Sequence, residues 1–255
     1  MRFLGGGRWD GWALTFKPLF MFGLLSCVSG WAAAEQPAQC QAHGAYANKL
    51  WQVVQQACLD AQVDSSMCVL QGHSIVFKTN QTPPHYLLIP STPLSGIEAP
   101  ALWNSAYPAY FSEAWRLRYL AGARLGTRPA AQIGIALNSA CNRTQNQLHV
   151  HMNCIKPSVL TELHAKQGQI QTQWRDIVIN QQPYRAKRMP GADIPNDLLS
   201  DIAQTDPDAA RHPDQQTLFA ALLRDEYAVV LWGRYQAGND RANGHAEDLL
   251  SDCGL

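Results

Sequence analysis

Asn138-Ser-Ala-Cys141-Asn-Arg143-Thr-Gln145-Asn146-Gln-Leu-His149-Val-His151-Met-Asn153-Cys154 is the stretch on which the reading of this chain turns. Its second half alternates in polarity from Leu148 to Cys154. A strand sends successive side chains to opposite faces, so His149, His151 and Asn153 are expected to line one face. Val150, Met152 and Cys154 then point to the other, into a core. Upstream, Ile133, Ile135 and Leu137 alternate in the same way, and a strand from Gln132 to Leu137 delivers Asn138 to its end. The polar segment Ser139 to Gln147 turns the chain back, which makes the pair an antiparallel hairpin with a wide loop. That loop is rich in Asn, Gln and Arg, side chains that donate hydrogen bonds without a counter-charge on the protein. Beside two imidazoles, the composition points to a site that receives an anion.

The rest of the chain bounds this reading. Its 255 residues are 46% hydrophobic and 16% charged, enough apolar material for a folded core. A formal net charge of +0 argues against nucleic-acid binding through a broad basic face. Arg2, Arg8 and Lys17 precede an apolar run from Leu19 to Ala34, and polar residues resume at Glu35. Basic residues before such a run indicate export, so residues 1–34 are expected to be a signal peptide or an N-terminal membrane anchor. The run is close to the length of a membrane span, and the expectation is a single N-terminal span in a cell inner membrane. The catalytic domain, residues 35–255, then faces the periplasm. A cleaved signal ending at Ala32-Ala33-Ala34, with a periplasmic product, is the alternative. Outside Cys27, six cysteines remain: Cys40, Cys58, Cys68, Cys141, Cys154 and Cys253. An even set in an oxidising compartment reads as disulfides, with Cys58–Cys68 the expected local bridge.

Periodicity places a helix over Tyr46 to Gln62, then strands near Cys68–Leu70, Ser74–Lys78 and His85–Pro90. An aromatic-rich helix follows near Ser105 to Ala123, and Pro157 opens another to about Lys166. The C-terminal third reads as strands near Trp174–Ile179 and Tyr227–Trp232, helices near Asp197–Ala203 and Gln215–Arg224, and a last helix before Cys253. The expected fold is α+β: an antiparallel sheet with helices packed mainly on one face. Its core spans about residues 46–180, and a C-terminal extension over about 181–255 completes or decorates the sheet.

Chemically, a neutral imidazole can attack phosphorus and hold the phosphoryl group as a phosphoramidate, dividing one displacement into two. No metal is needed if fixed donors stabilise the phosphoryl oxygens. The pattern strand, Asn, polar loop, Gln, then His-x-His resembles the signature of the histidine-triad superfamily. Pro84-His85-Tyr-Leu-Leu-Ile-Pro90 is similar to that superfamily's upstream strand. Within it, Asn142-Arg143-Thr-Gln145-Asn146 followed by His149, His151 and Cys154 is most similar to the CDP-diacylglycerol pyrophosphatases. The resemblance implies a histidine-triad-like fold, with His151 as nucleophile and His149 assisting it. It further implies that Asn138, Gln145, Asn146 and Asn153 contact substrate or the nucleophile's surroundings, with His85 on the neighbouring strand and Arg143 as an added phosphate partner. The implied reaction is hydrolysis of a phosphoric anhydride: CDP-diacylglycerol, presented at a lipid bilayer surface, gives CMP and phosphatidate without a cofactor.

Two departures from the pattern are informative. The third histidine is replaced by Asn153, which cannot serve as an acid, and Ser91-Thr-Pro-Leu94 lacks the usual basic residues. A phosphate leaving group is a weak base and departs without an acid, whereas an amine does not. The substitution therefore favours a diphosphate substrate. Two other readings compete. His149 and His151 with His85 or His73 could bind zinc, as in secreted carbonic anhydrases, or the chain could be a non-catalytic module that binds nucleotide or lipid. His43, His164, His212 and His245 have no sequence context and read as surface residues.

Overall fold

The alternation at Ile133, Ile135 and Leu137 recurs along the chain and assembles one antiparallel sheet. The computed structural model describes residues 40, 47–60, 64–104, 108–124, 129–224 and 227–253, all within one unit, Ala38–Leu255. The strands are β1 (Cys68–Gln71), β2 (Ser74–Lys78), β3 (Tyr86–Pro90), β4 (Ile133–Leu137), β5 (Val150–Ile155), β6 (Arg175–Ile179), β7 (Gln182–Arg188), β8 (Gln216–Leu223), β9 (Tyr227–Arg234) and β10 (Leu250–Ser251). Their order is β1-β2-β3-β5-β4-β8-β9-β7-β6, and β10 pairs with the end of β5. The helices are α1 (Lys49–Val54, running into a π turn, Gln55–Leu59), α2 (Tyr110–Arg124), α3 (Pro157–Ala165), α4 (Leu198–Thr205) and α5 (Pro207–Arg211).

The two faces of the sheet bury different residues. On one, Val76, Leu88, Ile135, Val150, Met152, Leu218 and Val230 pack under Tyr110, Phe111 and Trp115 of α2 and under Leu198 and Ile202 of α4. The other face carries two separate clusters. At one end Ile75, Phe77, Leu87 and Ile89 pack with Val54 at the end of α1 and with Cys58 in the π turn that follows it. At the other, Ala136, Ile155, Phe219, Ala221 and Leu231 pack with Val159 and Leu163 of α3. Helices thus flank both faces, not mainly one, because the second face also has apolar residues to bury at both ends. His151 pairs across with Leu87 on one side and Ala136 on the other. The histidines therefore stand in the gap between two small cores.

The segment expected as a helix over Gln215–Arg224 is strand β8, in the middle of the sheet between β4 and β9. Both faces are covered there, so Thr217 to Ala221 are all buried and no polar alternation marks the strand. Its Ala and Leu favour helix, but pairing on both edges overrides that preference. The expected final helix is a 3-10 turn, Ala246–Leu249, ahead of β10. Residues 181–255 thus supply β7, β8, β9 and β10, and the sheet runs through them.

The inner-membrane location with a single N-terminal span is corrected: no helix among the described residues is long and apolar enough to cross a membrane. The run from Leu19 to Ala34 on which that expectation rested lies outside the described residues.

Among the described residues there are three disulfides, Cys40–Cys141, Cys58–Cys68 and Cys154–Cys253. The second is the local bridge expected from sequence. The third fastens the chain after β10 to the histidine strand β5, across 99 positions.

Candidate active site

The site forms where β5 emerges from the polar loop after β4. His149 precedes the strand and His151 is its second residue, so both project to the face between the two small cores. Their rings lie edge to face, with centroids 4.9 Å apart. His149 Nδ1 lies 2.7 Å from the carbonyl oxygen of Gln147, so Nδ1 carries the proton and donates it. Burial, with Arg143 acting the same way against that hydrogen bond, pushes the pKa of His149 down to about 4. At neutral pH it is an uncharged ring of fixed orientation.

His151 meets the protein through one of its two ring nitrogens. Its Nδ1 lies 3.2 Å from Glu247 Oε1. Its Nε2 is buried and, among the described residues, has no hydrogen-bond partner. Burial holds its pKa well below the ordinary imidazole value, and the neighbouring His149, His245 and His85 push it the same way. A neutral imidazole protonated at Nδ1 presents a lone pair at Nε2.

Glu247 was not anticipated from sequence, yet four site residues meet it. Besides His151, Asn138 Nδ2 donates to Glu247 Oε2 at 3.1 Å, and the Glu247 backbone N–H donates to Asn138 Oδ1 at 3.0 Å. His245 Nε2 lies 3.5 Å from Oε2, and His85 Nδ1 lies 4.0 Å from Oε1. Each of those histidines has a closer acid: His85 Nε2 is 2.9 Å from Asp252, and His245 Nδ1 is 2.9 Å from Asp248. The turn that brings this segment in is set at Gly244, whose φ of +66° suits glycine. A Cβ there would also press on Ser139, the neighbour of Asn138. His245, expected at the surface, is thus part of the site. The one hint in the sequence was Cys253, close behind Glu247 and able to reach Cys154.

Two cavities meet at His85, His151, His245 and Glu247. One, of about 440 Å³, adds Asn153, Lys156 and Asp252. The other, of about 410 Å³, adds Lys49, Leu50, Phe77, Asn138, Gln145 and His149. A wider concavity of about 770 Å³ beside β6 and β7 holds no histidine. Its Lys166, Arg185 and Arg234 face Glu162, Asp176 and Asp208.

The remaining anticipated residues divide. Asn153 lines the first cavity, and its Oδ1 accepts from Cys154 N at 3.0 Å. Gln145 lines the second, but its Oε1 accepts from Leu50 N at 2.7 Å. Asn146 N donates to Ala47 O at 2.6 Å, so this part of the loop clasps the start of α1. Arg143 does not stand as a phosphate partner. Its two terminal nitrogens bind the Glu98 carboxylate at 2.5 and 2.6 Å, with both side chains buried. Gly96 makes room for that pair, since a Cβ there would collide with the Arg143 guanidinium. The zinc reading finds little support in donor spacing. Among the described residues one group of three possible ligands closes to within 4.8 Å, Cys40, Cys141 and Asp214, and its sulfurs are bonded to each other.

A buried, neutral imidazole with one nitrogen on a carboxylate and the other without a partner is chemically able to act as a nitrogen nucleophile. The family model described as CDP-diacylglycerol pyrophosphatase matches residues 45–255, and the chain belongs to that family. It is 37% identical over 138 residues to CDP-diacylglycerol pyrophosphatase of Yersinia pestis, covering 51% of this chain and 54% of that protein. To the probable CDP-diacylglycerol pyrophosphatase of Mycobacterium leprae it is 31% identical over 142 residues, 53% of each chain. The chain spans about half the length of the curated relatives it matches.

Proposed function

We propose that this protein hydrolyses the diphosphate bond of CDP-diacylglycerol, through a cytidylyl group held on His151. The observation that carries the reading is the pairing of His151 Nδ1 with Glu247 while Nε2, among the described residues, is left without a hydrogen-bond partner. Family membership supports the substrate. The strand, Asn138, loop and His-x-His arrangement supports the finer placement in the histidine-triad superfamily.

In the first step Nε2 attacks the CMP-side phosphorus. The N–P bond forms, the anhydride P–O bond breaks, and phosphatidate leaves as a phosphomonoester. The imidazole keeps its Nδ1 proton against Glu247 and carries the positive charge of the adduct. Water then attacks the same phosphorus, the N–P bond breaks, CMP departs, and the proton of the water passes to solvent. Asn153 in place of a third histidine suits this sequence, since the departing phosphatidate needs no acid. With Arg143 bound to Glu98, Lys49 and Lys156 are the cations lining the two cavities, and they are assigned to the phosphoryl oxygens. The diacylglycerol moiety stays in the lipid surface that presents it.

The test is release of CMP from CDP-diacylglycerol in mixed micelles, with and without chelator, across the pH range. Activity is expected to survive chelation. Attack needs the neutral imidazole, and burial lowers the pKa of His151. The acid limb of kcat/KM is therefore expected below pH 6.5, with activity retained under that value and lost only on further acidification. No CMP release, loss of activity on chelation, or an acid limb above pH 6.5 would each count against the proposal.

A further inference from the structure

We infer that Glu247 is the positioning residue of the nucleophile: held by Asn138, its carboxylate keeps the proton of His151 on Nδ1 and leaves the lone pair on Nε2. The inference rests on the reading of His151 as nucleophile given above. Its basis is an ordered chain of hydrogen bonds. The Glu247 backbone N–H occupies Asn138 Oδ1 at 3.0 Å, which fixes which end of that amide is oxygen. Asn138 Nδ2 must then face the carboxylate, and it donates to Oε2 at 3.1 Å. Oε1 is left to accept from His151 Nδ1 at 3.2 Å. Around this chain, His245 and His85 approach the same carboxylate at 3.5 and 4.0 Å.

When Nε2 bonds phosphorus the ring becomes cationic, and the carboxylate beside Nδ1 stabilises the charge that appears. The partner comes from the segment fastened to β5 by Cys154–Cys253 and by the β10 pairing. Nucleophile and positioning group are thus joined covalently as well as by the sheet.

The chain of polarities predicts an unusual mutational result. In Glu247→Gln the new amide must turn its oxygen to Asn138 Nδ2, because Asn138 cannot flip without losing the backbone bond. Its NH₂ then faces His151 Nδ1 and draws the proton to Nε2, which removes the lone pair. Asn138→Asp sets two carboxylates against each other. In the double variant the polarities fall back into order. The carboxylate introduced at position 138 accepts from the backbone N–H and from the NH₂ of the amide introduced at position 247. The oxygen of that amide again accepts from His151 Nδ1.

The experiment measures kcat and KM for CMP release from the wild type, Glu247→Gln, Asn138→Asp, the double variant and His151→Ala. Loss of tautomer control in a comparable imidazole site costs about 10⁴-fold. Each single variant is expected to lose about 10³- to 10⁴-fold in kcat with KM within about threefold. The double variant is expected to recover at least about tenfold over either single. Near-wild-type kcat in Glu247→Gln, with His151→Ala inactive, overturns the role of Glu247 alone; activity in His151→Ala overturns the nucleophile reading itself. A folded double variant no better than the singles also overturns the inference. Nitrogen NMR of the wild-type protein tests it without any variant: His151 is expected protonated at Nδ1 and bare at Nε2. The opposite tautomer overturns it.

Discussion

His151→Ala is expected to lower the rate of CMP release by about 10⁴-fold or more, with little change in KM, because in the proposed mechanism that residue forms the bond on which the first step depends. The fold should tolerate the change. Val150 and Met152 on either side hold β5 in the core with α2, and the β10 pairing and Cys154–Cys253 hold its far end. Glu247 keeps both of its contacts to Asn138. The melting point should therefore stay near that of the wild type while activity disappears. His149→Ala is expected to lose less, since that ring is neutral and supports His151 from the side. A single displacement by water would show the opposite pattern, with His151→Ala retaining a rate near that of the wild type.

The largest stability effect is expected at a residue that does no chemistry. Glu98→Gln leaves the Arg143 guanidinium buried without its counter-ion, with 3% of its side chain exposed. Breaking one half of such a pair costs about 3–5 kcal/mol, while replacing both halves by apolar groups costs far less. For a domain of this size that corresponds to a fall in melting temperature of about 10 °C. Arg143→Met should be comparably damaging, and Glu98→Leu with Arg143→Met should recover much of the loss. The pair underpins the loop that carries Gln147 and His149, so activity should fall together with stability. Scanning calorimetry decides the point. A melting temperature unchanged in Glu98→Gln would show that the charge of Arg143 is met by something other than Glu98.

The part of the site that could be read from sequence is the part built from local alternation. Leu148 to Cys154 announced a strand with two histidines on one face, and Ile133 to Leu137 announced the strand beside it. Strand β8 could not be read in this way, because a strand buried on both faces has no alternation and its Ala and Leu look helical. Arg143 illustrates a different limit. An arginine in a polar loop has the same appearance whether it meets a phosphate or a buried carboxylate, and nothing around Gly96-Ile97-Glu98 marks that acid as its partner. Glu247 was invisible for a third reason. It reaches Asn138 from 109 positions away, and its segment, Asn243-Gly-His245-Ala-Glu247-Asp248, has the composition of an exposed turn. The even cysteine count pointed to disulfides and left their pairing open. It did not say that one of the bridges fastens the segment carrying Glu247 beside His151.

The central claim is that the phosphorus is transferred twice, first to His151 and then to water. The stereochemical course measures this most directly. CDP-diacylglycerol made chiral at the cytidylyl phosphorus by one sulfur substitution would be turned over in oxygen-labelled water, and the configuration of the CMP thiophosphate determined. Two in-line displacements each invert the centre, so the account predicts net retention. Net inversion would mean that water attacks directly, and it would contradict the assignment of His151 as the nucleophile.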